Sequence, residues 1–184
     1  PLVREVIAVE IDDRLTPILE ARFANMPNVR FLFQDILETY LQEVVQPGYV
    51  VVANLPYYIT SAILRFLLEN PPLAKRMILT VQLEVAERLV AKPGEMSLLS
   101  VSVQYYAKAR LALRISKGVF YPRPDVDSAV VRLDPYERPP VDVPSDAAFF
   151  RVAKAGFAQK RKQLKNTLGD GLAISHDQAA EIIT

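Results

Sequence analysis

The sequence predicts an α/β protein, a doubly wound domain around a parallel sheet followed by a small all-helical domain. Three observations predict it. Short β-branched runs alternate with segments of helical spacing over residues 6–81. Those strands read as continuous apolar runs, the pattern of a sheet covered on both faces. A stretch from Pro135 to Pro144 with four prolines then reads as a linker, which divides the chain into residues 1–135 and 136–184.

Val6 to Val9 form the first strand, ended by Glu10, Asp12 and Asp13, and Leu15, Ile18, Leu19 and Phe23 follow at helical intervals. Val29 to Phe33 make a second strand closed by Gln34-Asp35. A short helical stretch with Ile36, Leu37, Tyr40 and Leu41 runs to Pro47-Gly48, and Tyr49 to Ala53 form the next strand. Ile63, Leu64, Phe66 and Leu67 lie on a helix stopped by Asn70-Pro71-Pro72, before a strand through Met77 to Val81. Helices are expected from Leu83 to Val90 and from Leu98 to Tyr105, then strands from Leu111 to Ile115 and from Ala129 to Leu133 that pair antiparallel at one edge. Beyond the linker, Phe149, Phe150, Ala153, Phe157, Leu164 and Leu168 recur at helical intervals.

With 184 residues and 51% hydrophobic content the chain can bury a substantial core. The absence of cysteine excludes disulfides, thiolate zinc sites and cysteine nucleophiles, and points to a reducing compartment, the cytoplasm. No apolar run reaches the length of a membrane span. The net charge of +1 conceals an asymmetry: residues 1–69 carry five Lys/Arg against nine Asp/Glu, the remainder seventeen against twelve. A basic rear half suits a polyanionic partner.

Ligands of an open parallel sheet lie beyond the carboxyl ends of its strands, where Glu10 and Asp35 stand. Glu10 reads either as an acceptor for both hydroxyls of a cofactor ribose or, with Asp12 and Asp13, as a cap for the next helix. Asn54 ends the central strand at the same edge. Its side-chain carbonyl is an uncharged acceptor, and Pro56 leaves neighbouring backbone carbonyls outside a regular turn. Two such acceptors can hold the hydrogens of an exocyclic amine with its lone pair facing an electrophile, while Tyr57 offers a stacking surface. An adenine N6 is a weak nucleophile, so positioning is what a protein can supply, and good orientation recovers roughly 7 kcal/mol or more of a barrier. The sole histidine, His176, is far from these motifs, which leaves metal, triad and histidine-base chemistries without support.

Six segments carry a resemblance: VIAVEID at 6–12, QDIL at 34–37, NLPYYIT at 54–60, VQLEVAERLVAKPG at 81–94, GVFYPRPDVDSAVVRL at 118–133 and FAQKRKQLKNTL at 157–168. In this order they resemble the ribosomal RNA adenine N6-dimethyltransferases that use S-adenosylmethionine, most of all the bacterial branch acting on two adjacent adenosines of the small-subunit RNA. The resemblance implies a Rossmann-like methyltransferase domain. It implies that Glu10 and the adjoining Ile11, Asp35, Ile36 and Asn54 bind the cofactor, Glu10 at the ribose and Asp35 and Ile36 at the adenine. Leu55 and Pro56 would present carbonyls to the target amine, with Tyr57 and Phe120 as two aromatic faces around a base drawn from its stack. The family's glycine-rich first motif is absent, and the sequence is expected to lack an N-terminal strand and turn. The loop Pro93 to Ser97 is shorter than the family's.

From Arg151 to Lys165 the sequence carries six basic residues, Arg151, Lys154, Lys160, Arg161, Lys162 and Lys165, and no acidic one, and Phe157, Leu164 and Leu168 keep a packing face. A helix so arranged can lie along RNA phosphates. The expectation is therefore a monomeric cytoplasmic enzyme acting on small-subunit ribosomal RNA in a pre-ribosomal particle. The alternatives are a large-subunit RNA methyltransferase and a non-catalytic RNA-binding assembly factor.

Overall fold

The computed structural model describes residues 3–159 and 162–183. Strand β1 (Val6–Glu10) pairs in parallel with β2 (Val29–Phe33), Glu10 lying opposite Phe33. Between them a 3₁₀ turn, Asp13–Leu15, leads into helix α1 (Thr16–Phe23), and after β2 comes the short helix α2 (Leu41–Val44). A second sheet contains β3 (Val50–Asn54), β4 (Arg76–Gln82), β5 (Ala107–Ile115) and β6 (Ser128–Pro135) in the order β3-β4-β6-β5. Strands β3 and β4 are parallel, whereas β6 runs antiparallel to both β4 and β5. The antiparallel edge follows the sequence expectation.

Two features depart from it. Among the described residues no ladder joins β1 to β3, so the sheet is divided between them. The apolar run of β3 is also covered on one face: Val51 and Ala53 pack against the core, while Val50 and Val52 are 52% and 78% exposed. A continuous apolar run states what a strand tolerates on each face and cannot say whether both neighbours are present. β5 begins four residues earlier than Leu111, straight after helix α5 (Leu98–Tyr106), because Lys108 and Arg110 alternate with Ala107 and Ala109 as an edge strand permits.

The covered face holds the core. Met77, Leu79 and Val81 of β4 and Ala129, Val131 and Leu133 of β6 are fully buried under Ile63, Leu64, Leu67 and Leu68 of α3 (Thr60–Glu69). Each such leucine contributes about 1.5–3 kcal/mol by burial. Helices α4 (Leu83–Leu89) and α5 complete this layer, and α5 starts on a reciprocal cap between Ser97 and Ser100. Across the strands, Arg76 and Arg132 both bond Asp134, and these guanidiniums, that of Arg132 foremost, hold its carboxyl down at about 2.

After Pro135 no helix or strand forms until α6 (Asp146–Phe157), followed by α7 (Leu164–Leu172) and α8 (His176–Ile182). Their small core is Ala155, Leu168 and Ala179. The helices meet so closely that a Cβ on Gly171 would stand 2.5 Å from that of Ala155. Small residues set this packing, which corrects the expected face: Phe157 and Leu164 are 41% and 49% exposed. Phe149 and Phe150 instead face the α/β layer, where the Phe149 ring stacks on Tyr105 at 4.0 Å. Asp146, in the first turn of α6, accepts the hydroxyls of Tyr105 at 2.7 Å and Tyr106 at 3.1 Å.

Burial, followed by this bond to Asp146, pushes the Tyr105 phenol up to about 12. A phenol raised above its unfolded value of about 10 stabilises the fold below pH 10 and loses that contribution as pH climbs toward 12. Denaturant titrations of the wild type should therefore show stability falling between pH 10 and 12. Asp146→Ala should lower stability at pH 8 by about 1 kcal/mol and flatten that fall.

Candidate active site

The corner after β3 is built by a ladder that outlasts the strand. The Leu55 N–H donates to the Thr80 carbonyl at 3.0 Å, and the Leu55 side chain is buried in the core. Pro56 then turns the chain into a 3₁₀ turn, Tyr57–Ile59, that runs into α3. Its carbonyl accepts the Thr60 hydroxyl at 3.0 Å and the Ile59 N–H at 3.3 Å. This revises the sequence expectation for Pro56: both lone pairs of its carbonyl are engaged in closing the turn. The Leu55 carbonyl makes no hydrogen bond among the described residues and is left as the backbone acceptor.

Asn54 is exposed, and its amide is likewise without a partner among the described residues. Parallel register places it opposite Thr80, on the face that β6 continues with Ser128 opposite Gln82. Tyr57 is half-buried, and its hydroxyl meets the Ser128 hydroxyl at 2.6 Å. Because β4 lies between β3 and β6, this side chain spans the carboxyl end of β4. Phe120 directly follows the 3₁₀ turn Lys117–Val119 and is also half-buried. Neither Tyr57 nor Phe120 has an aromatic ring against it among the described residues, so both keep a face for a planar ligand.

The two strand-end carboxylates are partly committed. One Glu10 oxygen accepts the Asp12 N–H at 2.9 Å, and one Asp35 oxygen accepts the Leu37 N–H at 2.9 Å. The second oxygen of each has no partner among the described residues. Glu10 is thus cap and free acceptor at once, while Asp12 is a cap outright, bonded to the Arg14 N–H and held down by its guanidinium. Ile11 is 67% exposed next to Glu10. Ile36 packs partly on the core, and its turn leans on α3, the helix that the Asn54 corner opens. Glu10 ends β1 and Asp35 lies two residues beyond the neighbouring β2; among the described residues no ladder joins this strand pair to β3.

Sequence reasoning missed Asp127 and Ser128, which bond the turn before Phe120 and the Tyr57 hydroxyl. A cavity of about 330 Å³ beyond β4 is lined by residues including Gln82, Glu84, Lys117 and Asp127. Asp127 and Ser128 act through partners 10 and 71 residues away, and no local pattern marks such bonds.

The basic stretch is not one helix. Arg151 and Lys154 lie exposed on α6, which ends at Phe157; Lys165 lies on α7, and Lys162 precedes it. Lys160 and Arg161 fall outside the described residues. Lys162 pairs with Asp170 at 3.5 Å, an acidic partner that follows the stretch in sequence. Among the described residues no helix is long and apolar enough to cross a membrane.

Residues 2–183 match the family described as ribosomal RNA adenine dimethylase. The chain belongs to that family. It is 44% identical over 173 residues to the ribosomal RNA small subunit methyltransferase A of Dehalococcoides mccartyi, covering 93% of this chain and 60% of the relative. The namesake from Geobacillus sp. (strain WCH70) is 42% identical, over 92% of this chain and 61% of its own. The chain spans about 60% of the length of these curated relatives. Two crystal structures share the architecture. The 23S rRNA methyltransferase ErmE superposes with a TM-score of 0.75 at 26% identity, over 90% of this chain and 66% of that one. A dimethyladenosine transferase from Plasmodium falciparum gives 0.73 at 28%, over 89% and 58%. The fold of this dimethylase-family chain is accordingly the Rossmann-like one of ribosomal RNA methyltransferases.

Thr60 is buried and its hydroxyl closes the corner. Thr60→Val, which keeps the shape and removes the donor, should cost about 1 kcal/mol. Thermal melting should register this as a fall of about 2–4 °C.

Proposed function

We propose that the protein transfers methyl groups to N6 of adjacent adenosines in small-subunit ribosomal RNA, twice per base, as a cytoplasmic monomer working on a pre-ribosomal particle. The observation that carries this reading is the pair of free neutral acceptors, the Asn54 amide oxygen and the Leu55 carbonyl, on a rigid strand end beside the Tyr57 ring. They would accept the two hydrogens of the amine, leaving its lone pair facing the methyl donor. Tyr57 and Phe120 would hold the flat base between them. After attack the cationic nitrogen sheds its proton readily, so no strong base is required.

The residues present fit S-adenosylmethionine. The free oxygens of Glu10 and Asp35 suit ribose and adenine donors, with Ile11 and Ile36 as apolar neighbours and Asn54 between cofactor and target. When bound, the cofactor supplies an electrophilic methyl group. The division at residue 135 assigns this chemistry to the α/β layer and RNA contact to the helices. Arg151, Lys154 and Lys165 are the exposed contacts in this reading, while Lys162 is already paired. Lys160 and Arg161 extend the same basic stretch.

The names of the relatives point to the small subunit. The superposition on a 23S rRNA methyltransferase keeps the large subunit as a second reading. Labelled-methyl incorporation by the full-length protein into unmodified small and large subunits separates them: label in the small subunit is expected, label in the large subunit alone would overturn the assignment, and label in neither would leave an RNA-binding assembly factor. Asn54→Ala should reduce incorporation by about 10²–10³-fold; wild-type activity in that variant would remove the mechanism. Replacing Arg151, Lys154 and Lys165 together by alanine should weaken RNA binding and lower the slope of log affinity against log salt by about 2–3.

A further inference from the structure

Two consecutive residues at the entry to β6 hold both aromatic walls of the site. Ser128 is fully buried, and the bond its hydroxyl makes is the one to Tyr57, at 2.6 Å. The Tyr57 ring is thereby held at both ends of its long axis, by the backbone turn at one end and by Ser128 at the other. What remains is rotation about that axis. Asp127 holds the turn that leads into the other wall. Its Oδ1 accepts the Lys117 N–H at 2.9 Å, and Lys117 opens the turn whose following residue is Phe120. The Phe120 N–H in turn donates to the Lys117 carbonyl at 3.4 Å, and the Lys117 amine reaches the Asp125 carbonyl at 2.9 Å. The pair itself is fixed to the sheet, for the Leu83 N–H donates to the Asp127 carbonyl at 2.9 Å and Ser128 stands opposite Gln82.

We propose that Asp127 and Ser128 are positioning residues that act as one gauge, setting the separation of Tyr57 and Phe120 and hence the gap into which the target base slides. The argument is geometric. Neighbouring Cα atoms are about 3.8 Å apart across a trans peptide, so two walls anchored to consecutive residues cannot drift independently. The walls come from distant segments of the chain, 54–60 and 117–122, with Tyr57 and Phe120 themselves 63 positions apart, and without a common anchor each would move with its own loop. A displacement of about 1 Å in a reacting geometry can cost on the order of a hundredfold in rate, so a hydroxyl and a carboxylate that never touch the base can still govern turnover. This rests on the reading of Tyr57 and Phe120 given under Proposed function.

The test is steady-state methylation of unmodified small subunits by the full-length protein. Ser128→Ala, Tyr57→Phe and the double variant should each lower kcat by about the same factor, between tenfold and a hundredfold. KM for the subunit should stay within about twofold, since phosphate contacts supply affinity. Equal losses in the single and double variants identify one shared bond. Melting temperature separates positioning from mere stability: the double variant buries no unpaired hydroxyl and should melt closer to wild type than Ser128→Ala does, with kcat still low. Asp127→Ala should also lower kcat, and Asp127→Asn, which retains an acceptor oxygen, should restore most of it. The gauge is overturned if Ser128→Ala turns over like wild type while Tyr57→Ala is inactive, if the Ser128 and Tyr57 losses multiply in the double variant, or if the losses fall on KM alone. Wild-type turnover by Tyr57→Ala would instead bring down the reading of the site, and the gauge with it.

Discussion

The site depends on a single constraint: parallel pairing of β3 with β4 continues one residue past the point where β3 stops being a strand. The Leu55 N–H is spent on the Thr80 carbonyl and its side chain on the core, so Asn54 is gripped from both sides while its amide stays outside. Pro56 can follow at no cost to the ladder, because it lacks the N–H that a further pairing would need. The abrupt change from apolar residues to an amide, a proline and two phenols is the signature of this arrangement. A strand end that frayed could not hold two acceptors at the spacing of one amine. A strand that continued would cover them.

The same economy governs the acids at the neighbouring strand ends. A carboxylate has two oxygens, and capping a backbone N–H consumes one. Glu10 and Asp35 each spend one oxygen on an N–H two residues ahead, which orients the other. Capping and ligand binding are therefore not competing explanations here. The cap supplies the preorganisation that makes the free oxygen useful, and a substitution such as alanine at either position would remove both at once.

How much of this could be read from the sequence follows from the range of each interaction. Strand ends, the Asn54 corner and the caps are local, and their residues stand next to one another in the chain. The bond from Tyr57 to Ser128 crosses 71 residues, so nothing near Tyr57 announces it. Period alone placed Phe149 and Phe150 on a helix but could not choose their partner, which proved to be Tyr105 across the layer. The helical core was misjudged for a related reason. Hydrophobic size pointed to Phe157 and Leu164, whereas the helices approach closely through Gly171 and Ala155 and bury Leu168 instead. The basic stretch read as one helix because charge was counted along the chain, and the break between Phe157 and Leu164 distributes it over two.

The join between the layers carries a further implication. Asp146 sits in the first turn of α6, where a carboxylate is already favoured by the free N–H groups of the helix start, and it takes two phenols from the end of α5. Directly after those phenols, Ala107 begins β5, which pairs along its length with β6. At the far end of that pairing stands Ser128, the anchor of Tyr57. The helix that presents Arg151 and Lys154 is thus connected to the aromatic wall by one antiparallel hairpin and a cluster of four packed rings. A sheet and a packed aromatic cluster transmit position well because neither deforms gradually. Under the proposed function, phosphates gripped on α6 would therefore be held in a fixed relation to the base pocket, and the fold would set the distance along the RNA between backbone contact and target base.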